Sequence, residues 1–265
     1  MTNFIICNDK KVAYSIFGNG LPIVFVHGFC EDRSIWNDFI PPFTKKYKVI
    51  TVDIGGFGET ELPKVATIEA MTAQVNAVLI AEKIDKCVLV GHSMGGYVGV
   101  AFAEAFGEKL QGLCIFHSHP FGDSPEKKIN RNRGIKFIQK YGSEKYVTSM
   151  LSMLFASHYR VEFKMVVQKL IFAVRNVDAN TIINGLLAMK NRKNSAVILE
   201  QINCPVQFII GKLDVAVSWE DSLKQTALPN IADIRVFENI GHMGMFEAIE
   251  ETQQAVLEFM LMCDK

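Results

Sequence analysis

Residues 87–96 read Cys87-Val88-Leu89-Val90-Gly91-His92-Ser93-Met94-Gly95-Gly96, an apolar run that breaks into Gly-x-Ser-x-Gly and a glycine pair. The run has the length and β-branched content of a strand covered on both faces. Small residues two before and two after Ser93 let the backbone turn sharply from strand to helix and leave Oγ exposed. The helix start behind it offers free N–H groups and a positive dipole end to a developing anion. Strand, tight turn and helix in this order call for a parallel sheet with right-handed crossovers.

Similar short runs lie on either side: Ile23 to Val26, Val49 to Val52, Leu113 to Phe116, Val206 to Ile210 and Ile234 to Phe237. Phe4 to Cys7 and Val12 to Phe17, separated by Asn8-Asp9-Lys10-Lys11, read as an N-terminal hairpin. Helices are expected over about 36–46, 67–84, 95–110 and 219–228, with a last one over about 245–262. The alternation lapses between about His119 and Ile202. Amphipathic stretches there, such as 144–155, 162–174 and 181–189, predict an all-helical insertion. The expected fold class is therefore α/β, a mostly parallel doubly wound sheet with a helical insertion after its sixth strand.

A serine hydroxyl needs a base at neutral pH, and the imidazole that serves needs a carboxylate to fix its tautomer and stabilise its cation. His242 follows the last strand in Gly241-His242-Met243-Gly244, at the carboxyl edge of the sheet where open α/β folds bind ligands. Asp214 lies four residues past the strand that ends at Ile210, at the same edge. The chain order Ser93, Asp214, His242 fits this architecture and no other serine-hydrolase fold. His27 also follows a strand, but Gly28 after it suggests a different task. We read His27-Gly28-Phe29 as the loop that aims the Phe29 N–H at a reacting carbonyl, with the Met94 N–H as the second oxyanion donor. His27 then braces that loop.

These segments, together with Val52-Asp53-Ile54-Gly55-Gly56-Phe57-Gly58, resemble the α/β-hydrolase fold superfamily, in the group with a helical cap between the sixth and seventh strands. Relatives commonly carry Asp-x-Pro-Gly-x-Gly-x-Ser in that last segment. Here Gly55 replaces the proline and Thr60 the serine. The resemblance implies a sheet of about eight strands, a catalytic core of residues 1–118 and 203–265, and a cap of residues 119–202. It also implies acyl transfer on a carboxylic ester, thioester or lactone through Ser93, His242 and Asp214, with no metal or organic cofactor. Acyltransferase, perhydrolase, carbon–carbon hydrolase or lyase chemistry on the same scaffold stays open, as does a triad-bearing small-molecule receptor. A haloalkane dehalogenase is disfavoured, since it needs a carboxylate where Ser93 stands.

Composition narrows the partners. The 265 residues hold 28 Lys and Arg against 28 Asp and Glu, for a formal net charge of zero, which argues against a nucleic-acid binder. No apolar run approaches the roughly 18–20 residues of a membrane span. The N-terminus lacks the pattern of a signal peptide. Six cysteines without a CxxC pair read as reduced structural thiols and point to a cytoplasmic protein.

The zero conceals segregation. From His119 to Ser195 there are fourteen Lys and Arg against five Asp and Glu, a net of +9 that cancels an equal negative charge on the rest. One reading is a set of solvated helix faces. The sharper one is that some of these bases steer an anionic acyl substrate to the cleft. Phe29, Phe121 and Met243 are the residues expected to wall the pocket.

Overall fold

A computed structural model describes residues 1–264. Eight strands form one sheet: β1 (Thr2–Cys7), β2 (Lys10–Phe17), β3 (Leu21–Val26), β4 (Tyr47–Val52), β5 (Cys87–His92), β6 (Leu110–Phe116), β7 (Val206–Gly211) and β8 (Ala232–Phe237), in the order β1-β2-β4-β3-β5-β6-β7-β8. The β1–β2 and β2–β4 pairs are antiparallel and the other five pairs are parallel. The predicted hairpin closes at Asn8 and Asp9, whose φ angles of 50° and 62° suit a tight two-residue turn.

β5 and β7 are buried along their whole length, as central strands with both faces covered must be. β8 departs from the expectation of a continuously buried strand. It alternates exposed and half-buried residues because it is an edge strand.

Helices α1 (Ile68–Ala81) and α2 (Met94–Phe106) follow β4 and β5. The side chain of Thr67 caps α1 through the Ala70 N–H at 3.1 Å. The helix expected over 36–46 does not form; two 3₁₀ turns, Arg33–Trp36 and Phe43–Lys45, take its place. Pro41-Pro42 interrupts that stretch and removes two backbone donors.

After β6 come six helices without a strand: α3 (Pro125–Tyr141), α4 (Ser143–Leu154), α5 (Ser157–Glu162), α6 (Lys164–Val174), α7 (Ala179–Asn191) and α8 (Ala196–Gln201). The helix expected over 162–174 forms as α6 and starts two residues later, after a break at Phe163 that separates it from α5. Helix α3 has one fully buried residue, Ile138, so hydrophobic periodicity marks it only weakly. Its start is marked instead by the Ser124 cap and Pro125 at the first position. The chain closes with α9 (Trp219–Thr226), α10 (Gly244–Glu247) and α11 (Ile249–Cys263). Residues of the helical insertion enter the apolar cores on both faces of the sheet, Leu151, Ile182 and Leu186 on one and Phe155, Tyr159 and Val167 on the other.

Candidate active site

Strand β5 delivers Ser93 at φ 51° and ψ −112°, a left-handed conformation that costs energy for any side-chain-bearing residue. The glycines around it are required by space. A Cβ on Gly91 would overlap the carbonyl of Gly95, and one on Gly95 would overlap the carbonyls of Val26 and His27. The turn is tied to the neighbouring strand by Ser93 N–H to Phe116 O at 3.0 Å and by Ser118 Oγ to Ser93 O at 2.6 Å.

The structure places Ser93 and His242 on the wall of one cavity of about 250 Å³. Nδ1 of His242 lies 2.7 Å from Oδ2 of Asp214. The other oxygen, Oδ1, accepts the N–H groups of Ala216 and Val217 at 2.8 and 2.9 Å, so backbone geometry fixes the plane of the carboxylate. Burial opposes the charge on both partners. The Asp214 charge outweighs it for His242 and raises that imidazole above the ordinary histidine range. The hydrogen-bonded His242 holds the Asp214 carboxyl well below the usual carboxylate range despite burial.

His117, at φ 48° just past β6, has its Nδ1 3.6 Å from the same Oδ2. That is too long for a hydrogen bond. Burial pushes its pKa down to about 4, so a neutral ring faces Asp214 there.

The loop after β3 is built to present backbone amides. His27 Nδ1 is 2.7 Å from its neighbour's carbonyl, Gly28 O, and Nε2 accepts the Ile54 N–H at 3.1 Å. Donor on one side and acceptor on the other, His27 braces the loop as a neutral ring. The Gly28 N–H goes to Oε2 of Glu31 at 2.7 Å. The N–H groups of Phe29 and Met94 have no hydrogen-bond partner among the described residues. In the β4–α1 loop, Thr60 Oγ1 donates to Asp53 O and accepts the Ala13 N–H, both at 2.8 Å.

Of the three expected pocket walls, Phe29 lines the cavity and the other two do not. Phe121 turns away to stack on His119, with ring centroids 5.7 Å apart at 25°. Met243 is fully buried in the apolar core that holds Phe155 and Tyr159. A side chain one residue after an in-facing His242 has to point elsewhere. The lining comes instead from the helical insertion, with Tyr146 and Met150 on α4 and Leu186 and Met189 on α7.

Three residues escape motif reading. Glu31 pairs with His92 at 2.9 Å, both buried. Glu247 accepts the N–H groups of Ala156, Gly241 and Met243 at 2.9, 3.0 and 3.0 Å, so one carboxylate ties the α4–α5 junction to the His242 loop. The His242 N–H itself goes to Leu154 O at 2.8 Å. The only local hint of Glu247 is an acid in the first turn after a glycine-rich loop. Arg131, on the polar α3, lines the cavity as well.

A family model described as the alpha/beta hydrolase fold matches residues 22–134. A thermophilic esterase from Thermogutta terrifontis superposes with a TM-score of 0.91 at 28% identity, covering 97% of this chain and 95% of that one. The chain has the α/β-hydrolase fold. The pimeloyl-[acyl-carrier protein] methyl ester esterase of Wigglesworthia glossinidia brevipalpis is 26% identical over 215 residues, 78% of this chain and 81% of the relative. Lipase 1 of Psychrobacter immobilis is 25% identical over 259 residues, 93% and 80% respectively. The helical insertion after β6 is the cap of this fold.

All six cysteines are free, and five of them are buried. Burial pushes the Cys87 thiol up to about 12, so it packs as a small apolar group. Among the described residues, no helix is long and apolar enough to cross a membrane, and no group of three His, Cys, Asp or Glu side chains is placed to hold a metal ion.

Proposed function

We propose that this protein is a serine hydrolase that cleaves a small carboxylic ester, thioester or lactone through Ser93, His242 and Asp214. The observation that carries the reading is one cavity that holds both Ser93, at a strained strand-to-helix turn, and His242, whose far nitrogen is paired with Asp214. The names of the relatives, an esterase and a lipase, support the same class of bond.

In this reading Ser93 Oγ attacks the substrate carbonyl carbon while Nε2 of His242 takes the hydroxyl proton. Asp214 holds the ring by Nδ1 and offsets the imidazolium charge. The oxyanion of the tetrahedral intermediate accepts the unpaired N–H groups of Phe29 and Met94. Collapse breaks the bond to the leaving oxygen or sulfur, which receives the proton from His242. Water then loses a proton to His242 and attacks the acyl-enzyme. The acid departs and the proton returns to Ser93.

Turnover of a panel of p-nitrophenyl esters and thioesters, with fluorophosphonate labelling, tests this. Wild-type protein should turn over repeatedly and label once, at Ser93. Ser93→Ala should keep its melting temperature and lose both. Wild-type rates in that variant would remove Ser93 from the mechanism.

A further inference from the structure

The wall of the Ser93 cavity carries an unbalanced positive charge. Lys127, Asn130 and Arg131, all on α3, line it. Arg131 donates from Nε to Oδ2 of Asp123 at 2.9 Å. Its two terminal nitrogens have no hydrogen-bond partner among the described residues, and its side chain stays 21% exposed while Asp123 is fully buried. The second oxygen of Asp123 is taken by Arg192 at 2.6 Å. A single carboxylate thus serves two guanidinium groups and leaves one charge over.

The bond at Nε also fixes the plane of the Arg131 guanidinium, so its terminal N–H groups form a fork held in place. The hydroxyls of Tyr97 and Tyr146, on the same cavity wall, make no hydrogen bond within the described chain. The acid on this wall, Glu31, is already paired with His92. Nothing on the lining therefore neutralises the fork. A planar fork carrying one excess charge matches a monoanionic carboxylate, bound through two parallel N–H···O bonds.

Resting on the acyl-transfer reading above, we propose that the Arg131 fork on this wall selects substrates whose acyl chain ends in a free carboxylate. The preferred substrates are then monoesters or monothioesters of dicarboxylic acids. Arg131 binds the free carboxylate and the bond to be cleaved lies at Ser93. Arg131 is a specificity residue, and the general positive charge of the cap is not what discriminates.

The test compares the mono-p-nitrophenyl ester of adipic acid with p-nitrophenyl hexanoate, which has the same chain length without the carboxylate. Wild-type kcat/KM should favour the anionic ester by about tenfold or more. Arg131→Met should cut that ratio by about tenfold or more, Arg131→Lys should cut it less, and Lys169→Gln, on the exposed face of α6, should leave it in place. Calorimetric titration of Ser93→Ala with monomethyl adipate reads binding without turnover, and the Arg131→Met change in that background should weaken it about tenfold or more. Equal preference for the two esters, or an equal fall for both in Arg131→Met, overturns the proposal. If wild-type protein turns over neither ester, acyl transfer fails as a reading and the titration decides. Arg131-dependent binding of monomethyl adipate then upholds the carboxylate site, and its absence removes it.

Discussion

Glu31 and His92 form a buried pair, Oε2 to Nδ1 at 2.9 Å, between the loop that carries Phe29 and the turn that carries Ser93. The other ring nitrogen of His92 lies 3.0 Å from the carbonyl of His242. Both partners are acceptors, which assigns both ring nitrogens of His92 as donors. Burial disfavours the Glu31 charge, but His92 and the Gly28 N–H hold its carboxyl below the ordinary range. One buried pair therefore links three loops of the proposed site: the Phe29 loop through Gly28, the Ser93 turn through His92, and the His242 loop through its carbonyl.

Glu31→Gln keeps the volume and removes the charge. It should lower kcat on a neutral ester by about tenfold with little change in KM, because a misaligned amide donor acts on the transition state. Glu31→Ala leaves two buried N–H groups unpaired and should cost about 3–5 kcal/mol of stability. Steady-state kinetics and thermal melts separate the two effects. A Gln variant with wild-type kcat would show that the pair serves stability alone.

The pH profile follows from the raised pKa of His242. In the proposed mechanism the ring is the base and acts only when neutral, so kcat/KM should fall as pH drops through an apparent pKa above the ordinary value of about 6.5. Asp214→Asn removes the charge that raises it. The acid limb should then move to lower pH, and kcat at the optimum should drop by about 10⁴. A limb that stays in place would assign the titration to another group.

Glu247 holds the cap to the His242 loop through three backbone N–H groups. Glu247→Ala leaves them unpaired, at about 1–3 kcal/mol for each one that water cannot reach. Protease digestion should cut the α4–α5 junction near Ala156 sooner than in wild type. An unchanged digestion pattern and melting temperature would mean that water replaces the carboxylate without loss.

Gly95 packs its α-carbon on the carbonyls of Val26 and His27, against which a methyl group has no room. Gly95→Ala should disrupt the junction of β3 and β5 and yield protein that melts well below wild type. Gly107, with nothing near its α-carbon and φ in the ordinary helical range, is the matched control. Gly107→Ala should melt within a degree or two of wild type, as surface changes cost about 0.5 kcal/mol or less.

Much of this molecule is legible residue by residue. The strand before Ser93, the glycines around it, and the positions of Asp214 and His242 after apolar runs are local signals, since a strand and the turn that ends it are encoded within a few residues. The helix expected over 36–46 fails for an equally local reason, the proline pair at 41–42. Helix α3 is faint because a mostly exposed helix carries little apolar period.

The pocket walls are a different matter. Phe121 and Met243 lie near the right strand ends, yet one stacks on His119 and the other enters the core. Which way a side chain points after a turn depends on backbone angles that periodicity does not report. Glu31 meets His92 across 61 positions, and Arg131 reaches the Ser93 cavity from a helix whose composition says only that it is charged.

By itself the sequence determined the order of elements, the parallel character of the sheet and the residue types at its carboxyl edge, because these follow from short-range periodicity and turn chemistry. Only the tertiary structure decided which charges are neutralised and which face the cavity. The net +9 of the cap counts every base alike. Folding pairs Arg192 with Asp123 in the interior, leaves Lys169 in water, and sets the Arg131 fork on the wall of the cavity that holds Ser93. Charge pairing depends on distances between residues remote in sequence, and those distances exist only once the chain has folded.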